Sequence, residues 1–413
     1  MDRRTFLLAG GTLAASIPLL GSRMALAQGE TIRIGLMAPL TGVVASGGRE
    51  MVDGFQMYFA ERGGKIAGHP VEIIVEDDGA NPDMALQKAR RLVEQSKVHF
   101  LFGNLLANTG LAVANYVEST GTPYFIPIIA ADDLTQRHRI PNVIRVAGYS
   151  ASHFPRPLAD WALKQGYRKA ATISQDYTFG HEQCGGFSQV FRAGGGEVLG
   201  QFWHPLNTSD FSSYLGQLGG LGVDVIFAME TGADATRFMQ QYRDFGLKGN
   251  IPLIGAMNMT DQSVIRTMGD EVEGVVSAAH FAEGSDNPVT KDFVARYEAA
   301  YKNLPSLYGF AMYSGAMWIE EALKSLNGDI SDTGAFLGAV AKTELTGSPL
   351  GTTVKLDSYG NPIYDVVIRS LTKRPDGKFW NEPIAEYPGV SQFWTYDPEE
   401  YLRQPPFSRD YQG

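Results

Sequence analysis

From Thr31 onward, apolar and polar positions fall into two alternating periods. Ile32-Arg33-Ile34-Gly35-Leu36 alternates at period two, as a half-buried strand does, and stops at Pro39-Leu40-Thr41-Gly42. Met51, Phe55, Tyr58 and Phe59 then recur at helical spacing, with Arg49, Asp53, Gln56 and Glu61 off that stripe, until Gly63-Gly64. Val71-Glu72-Ile73-Ile74-Val75 predicts a second strand, closed by Glu76-Asp77-Asp78. Asn81-Pro82-Asp83 combines a capping side chain, a proline at the first helical position and an acid in the first turn, so a helix starts there.

Residues 98–131 carry the clearest unit. His99-Phe100-Leu101-Phe102 suits a buried strand, Gly103-Asn104 break it, a helical pattern runs to Gly121, and a second apolar run covers 124–129. This is strand, loop, helix, strand. In such a unit the loop leaving the first strand sits at the carboxyl edge of the sheet, where open α/β sheets bind ligands. The following helix aims free N–H groups and a positive dipole end at the same place. The pattern therefore puts residues 104–109 in a small-molecule cleft; an ordinary crossover loop is the competing reading.

The theme restarts after a short strand at 142–146. Strands are expected at 170–174, 197–203, 224–228, 251–255 and 274–278, with helices between them. Strands alternating with helices predict an α/β protein with largely parallel sheets. About ten strands exceed what one open sheet usually holds, so two lobes are expected, dividing near Ala147-Gly148. Three helical stretches follow, at 287–301, 308–326 and 332–341, and then strands at 347–357 and 364–372. The segment from Lys378 is rich in proline and aromatic residues and is expected to pack on the surface as a tail.

The first residues break the pattern. Arg3-Arg4 precede an apolar stretch from Phe6 to Leu20, and Ala25-Leu26-Ala27 offers a small-x-small cleavage site, as in an export signal. A membrane anchor is the alternative, but a span needs about 20 apolar residues. Asp-Arg-Arg-Thr-Phe-Leu also resembles the twin-arginine export consensus.

Of the 413 residues, 44% are hydrophobic, enough for a sizeable core. Residues 1–27 carry a net +2, so the formal charge of −10 for the whole leaves −12 on the remainder. An acidic chain without a basic run excludes nucleic acid as a partner. The single cysteine, Cys184, cannot form a disulfide within the chain and reads as a small core residue. Catalytic signatures are thin. There is no phosphate-binding loop and no nucleophile elbow, and Gly194-Gly195-Gly196 lacks dinucleotide spacing. His181-Glu182 with Cys184 lacks the spacing of a metal site. His153, Arg156 and Arg237 lie near helix starts, where each could meet an anion or simply face water. No cofactor or metal is expected, and the chain reads as no enzyme.

Several stretches in order carry a resemblance: 32–42 with Gly47 and Gly48; Val75-Glu76-Asp77-Asp78 with Asn81-Pro82; Phe102-Gly103 with Gly121-Thr122-Pro123; 177–180; Phe245-Gly246; and 308–313. To about Thr372 the mature chain resembles the exported solute-binding proteins of ABC importers, in the branch of the leucine/isoleucine/valine-binding protein. The resemblance implies two doubly wound α/β lobes joined by three hinge crossings, the type I periplasmic binding protein fold, closing over a buried ligand. It implies lobe 1 from 28–147 plus 280–358, lobe 2 from 148–279 plus 359–377, a tail at 378–413, and a signal peptide at 1–27. It further implies a periplasmic location, a monomer, a small-molecule ligand and a membrane permease as partner.

The family's ligand-binding positions fall on Leu105, Leu106, Ala107, Asn108 and Thr109, on Ile128, Ile129 and Ala130, and on Phe179, Thr231, Met257 and Tyr308; Gly47 replaces an aromatic. Where amino-acid binders carry an acid for the ligand ammonium, this chain has Met257. Hydroxyl positions for the ligand carboxylate fall on Ala107 and Ala130. A buried ammonium without a carboxylate costs several kcal/mol. The expected ligand is therefore an apolar carboxylate, foremost an aromatic one such as a benzoate or phenylpropenoate, with a short branched aliphatic acid as the alternative. A register shift of one or two residues at Met257 would instead make Glu230 or Asp261 the acid and a branched-chain amino acid the ligand. An exported α/β enzyme and a receptor-docking sensor are the remaining readings.

Overall fold

The computed structural model describes residues 29–411, so the expected signal peptide lies outside the described residues. Two sheets organise the chain. The first is built from β1 (Ile32–Ala38), β2 (Lys65–Ile66), β3 (His69–Asp77), β4 (Phe100–Gly103), β5 (Tyr124–Phe125) and β6 (Val143–Ile144), in the order β2-β3-β1-β4-β5-β6. All neighbours are parallel except the β2–β3 hairpin. Helices α1 (Ala45–Ala60), α2 (Pro82–Arg90) and α3 (Ala107–Thr120) supply the crossovers.

The expected local signals operate. Asn81 caps α2 by accepting from the Met84 N–H at 3.0 Å. Gly121 ends α3 in the left-handed conformation. Gly103 closes β4 at φ +112°, and a Cβ there would stand 2.1 Å from the Met37 carbonyl oxygen, so only glycine turns the chain into the 104–109 loop.

The second sheet holds β7 (Lys169–Gln175), β8 (Glu197–His204), β9 (Val225–Met229), β10 (Leu253–Ala256), β11 (Val276–Ala279), β12 (Lys355–Leu356), β13 (Pro362–Lys373) and β14 (Phe379–Val390). Its order is β12-β13-β11-β10-β9-β7-β8, with β14 antiparallel on β13. Helices α4 (Pro155–Lys164), α5 (Thr178–Ala193), α6 (Ser212–Gly220), α7 (Gly232–Asp244) and the short α8 (Gln262–Ile265) belong to this lobe. Helices α9 (Pro288–Tyr301), α10 (Leu307–Ser325) and α11 (Thr333–Lys342) return to the first lobe, where Phe336 packs on Phe100 and Phe125. The chain thus passes between lobes after β6, after β11 and before β13. Arg145, fully buried in the first crossing, reaches Asn361 Oδ1 in the third at 2.7 Å and the Ala131 carbonyl at 2.6 Å.

The stretch beyond Lys378 differs from the expected surface tail. It begins with the twelve-residue strand β14, and only after Val390 does it leave the sheet. Pro383 and Pro388 hide the strand in the sequence, because proline cannot donate to a ladder. β14 pairs with β13 alone, and the register slips between Ile368 and Arg369, opposite Ala385 and Pro383. The strand expected at 347–357 shrinks to β12.

Candidate functional site

The lobes meet over the carboxyl ends of their parallel strands, where crossover loops and helix starts of both sheets face one another. Leu105, Ala107, Ile128 and Ala130 from lobe 1 and Tyr149, Tyr177, Phe179, Thr231 and Asn258 from the first crossing and lobe 2 line a small cavity, about 10 Å³ in the nearly shut form seen here. Every one of these side chains is neutral.

Three helices start at this cavity. Ala107 is the first residue of α3, Phe179 the second of α5, and Thr231 the residue before α7; no side chain caps any of the three. Each start presents the positive end of a helix dipole, with the Ala233 N–H of α7 already taken by the Val43 carbonyl and the Thr109 N–H of α3 by Asn108 Oδ1. Thr231 does not cap α7; its hydroxyl turns to Gln175 Oε1, to which it donates at 2.7 Å. Gln175 in turn donates to Asp234 Oδ2 at 2.6 Å, which fixes the orientation of its amide.

Asn258 sits where the lobes touch. Its Nδ2 donates to the Tyr308 hydroxyl at 3.0 Å, and its buried Oδ1 has no partner. Tyr308 accepts that bond, so its own proton is free to donate. Burial pushes the phenols of Tyr149, Tyr177 and Tyr308 well above their ordinary pKa, so all three keep their protons. Further contacts close the lobes: the Ala233 N–H donates to the Val43 carbonyl at 3.1 Å, the Leu307 N–H to Asp261 Oδ2 at 2.6 Å, and Arg266 pairs with Glu50. Gly232 makes the first of these possible, since a Cβ there would lie 2.3 Å from the Val43 oxygen.

Of the residues anticipated from sequence, Leu105, Ala107, Ile128, Ala130, Phe179 and Thr231 share the cavity wall, and Tyr308 adjoins it through Asn258. Tyr308 also fills the room left by Gly47, where a Cβ would stand 2.8 Å from its ring. Leu106, Asn108, Thr109, Ile129 and Met257 do not line the cavity. Thr109 turns its hydroxyl back to the Leu106 carbonyl at 2.8 Å, and Asn108 Oδ1 accepts from the Thr109 N–H at 3.0 Å. Asn104 is fully buried between Asp78 and Tyr124. Met257 is buried behind the wall and its carbonyl accepts from Arg369 at 3.1 Å; the wall position belongs to Asn258, one residue on.

Neither alternative acid reaches the wall. Glu230 is buried against His204 Nε2 at 2.8 Å, and burial pushes its carboxyl up to about 7. Asp261 caps α8 and accepts from Leu307; burial pushes it up to about 6. Sequence reasoning missed Tyr149, Tyr177 and Asn258. The signal for Tyr177 was its place in the short loop after β7, just before a helix. Tyr149 lies in a crossing and belongs to no periodic pattern. Among the described residues no cluster of three metal-ligating side chains occurs.

The fold, with its interlobe cavity, defines a type I periplasmic binding protein. The family model described as periplasmic binding protein matches residues 31–376, and the chain belongs to that family, in its leucine/isoleucine/valine-binding branch. Its members are transport binding proteins and not enzymes. The chain is 27% identical over 368 residues to the Leu/Ile/Val-binding protein homolog 6 of Brucella melitensis, covering 87% of this chain and 93% of that one. An ABC transporter substrate-binding protein from Sphaerobacter thermophilus is 30% identical, with a TM-score of 0.81 over 88% of this chain and 99% of its own. A solute-binding protein of an ABC transporter from Rhodopseudomonas palustris BisB5, solved with 3,4-dihydroxy benzoic acid, is 28% identical. Its TM-score is 0.82 over 88% of this chain and 98% of its own.

Proposed function

We propose that this protein is the exported, periplasmic solute-binding component of an ABC importer and that its ligand is a small aromatic carboxylate, of the benzoate or phenylpropenoate kind. Three uncapped helix starts converging on a cavity with no charged side chain carry this reading. They favour an anion without supplying a counter-charge, and the phenol protons add donors. Leu105, Ile128 and Phe179 suit an apolar ring. A zwitterionic amino acid would bring an ammonium to a wall that has no acid to receive it. The resemblance to the Rhodopseudomonas protein supports the same class. Arg3-Arg4 and the apolar stretch after them support export, with cleavage after Ala27. The two lobes are proposed to divide at the boundaries given above, except that β14 joins lobe 2.

A thermal-shift panel tests the ligand. Benzoate, 4-hydroxybenzoate and cinnamate are expected to raise the melting temperature in proportion to occupancy, and leucine, isoleucine and valine to leave it unchanged. A shift with the branched amino acids alone overturns the reading.

A further inference from the structure

After β14 the chain does not end on its own lobe. Gln392, fully buried, accepts from the Thr135 hydroxyl at 3.0 Å and donates to the Asp357 carboxylate at 2.9 Å, while its carbonyl accepts from Arg156 of α4. Thr135 belongs to lobe 1, between β5 and β6; Asp357 lies in the third crossing; α4 belongs to lobe 2. Beyond Gln392 comes the short α12 (Pro398–Leu402), and Arg137 of lobe 1 donates to the carbonyls at its end: Gln404 at 2.9 Å and Tyr401 at 3.4 Å. The guanidinium is held there by Asp133 at 3.0 Å.

The segment then returns to lobe 2. Phe393, Tyr401 and Phe407 form a small apolar cluster of their own, with the buried Arg156 guanidinium 4.8 Å from the Tyr401 ring centre. Phe407 packs closely on Gly185 of α5, where a Cβ would stand 2.4 Å from its ring. Arg409 donates to Asp176 Oδ2 at 2.9 Å. Asp176 immediately precedes Tyr177, which with Phe179 forms the aromatic pair on the cavity wall. Residues 391–411 therefore run from lobe 2 to lobe 1 and back, ending on the turn that grips the cavity. They lie wholly beyond the stretch that the family model matches.

We propose that residues 391–411 are a strap that holds the two lobes near the closure seen here and so sets how long a captured ligand stays. On this proposal, opening parts the 132–137 turn from α5, which it now also meets directly through the Asp132 N–H, donating to Glu182 Oε1 at 3.0 Å. The strap must then release Arg137 or lift Phe407 from Gly185, so its contacts weigh the equilibrium towards the closed form. The proposal concerns the lobes of a binding protein, whatever the ligand.

The test reads lobe separation without ligand. In the full chain, spin labels on Glu118→Cys of α3 and Gln217→Cys of α6, both exposed, report the interlobe distance, and the native Cys184 is buried and silent. Two variants loosen the strap at opposite ends: Phe407→Ala with Arg409→Ala, and Arg137→Gln at a partly exposed position. Each is expected to raise the population at long separation by about threefold or more. Should Phe407→Ala disturb folding, Arg137→Gln still reports, because it removes a surface cation and no core volume. Equal distance distributions in parent and Arg137→Gln overturn the strap. A benzoate titration of the parent is judged separately: its failure sinks the ligand class and leaves the distance result standing.

Discussion

The two walls of the cavity are made of different chemistry. Lobe 1 offers Leu105, Ala107, Ile128 and Ala130, small or aliphatic, and one bare helix start. The opposite wall offers Tyr149, Tyr177, Phe179, Thr231 and Asn258, with two helix starts. Side-chain hydrogen bonding is thus concentrated on one side, and the other supplies shape and backbone. Under the function proposed above, a ligand docking first on lobe 1 would gain apolar contact and a helix dipole, and closure would then add the directional bonds. Discrimination between ligands of similar size therefore belongs to the second wall, because polar groups left unmatched there cost more than a lost methylene.

The sharpest way to break this comparison is Asn258→Leu, which strips the wall of its one amide and frees Tyr308 from its donor. The dissociation constant for the aromatic acid found by the panel is expected to rise about a hundredfold by isothermal calorimetry, corresponding to roughly 2–3 kcal/mol. A change under threefold would mean that the second wall does not select. Tyr308→Phe keeps the ring that fills the place beside Gly47 and deletes only the hydroxyl. Weakening of about tenfold with little change in melting temperature is expected; unaltered affinity removes Tyr308 from the site.

Glu230→Gln sharpens the comparison from behind the second wall. Burial holds the Glu230 carboxyl near 7, above its ordinary value of 4.5. A raised acid contributes stability below pH 4.5 that is lost as pH climbs to about 7. His204 works in the same direction: burial pulls its pKa down, the bond to Glu230 outweighs that, and its contribution also fades as pH rises. The variant, which cannot ionise, should therefore gain on the parent between pH 5 and pH 8, by on the order of 1 kcal/mol, read from melting temperatures across that range. A difference that stays flat with pH would show that Glu230 is not held neutral. The smallest effect belongs to lobe 1: Ala107→Ser adds a hydroxyl at the start of α3 and should change affinity for the aromatic acid by less than about threefold, since a dipole already serves that spot. A large gain there would move selection to the first wall.

Much of the fold was legible because its signals are local. The β4–α3–β5 unit follows from an apolar run, Gly103, a helical stripe and Gly121; the α2 start follows from Asn81-Pro82-Asp83. β14 was not legible, since Pro383 and Pro388 read as loop and their tolerance depends on β14 pairing with β13 alone. At the cavity, Leu105, Ala107, Ile128, Ala130, Phe179 and Thr231 were legible as wall positions, whereas Tyr149, Tyr177 and Asn258 were not. Met257 and Asn258 are adjacent, and nothing local says which of them turns inward. Leu106 and Thr109 lie in the right loop and turn away from the cavity.

The sequence by itself determined the α/β alternation, the division into two lobes and the apolar face that lobe 1 brings to the cleft, because each rests on periodicity or turn chemistry within a few residues. Only the tertiary structure decided that Tyr149 from a crossing, Tyr177 from the loop after β7 and Asn258 from the loop after β10 meet in one wall, and that residues 391–411 run from one lobe to the other and back. Those pairings join positions up to hundreds of residues apart, such as Thr135 and Gln392. Their partners are chosen by how two packed lobes close, which no local pattern encodes.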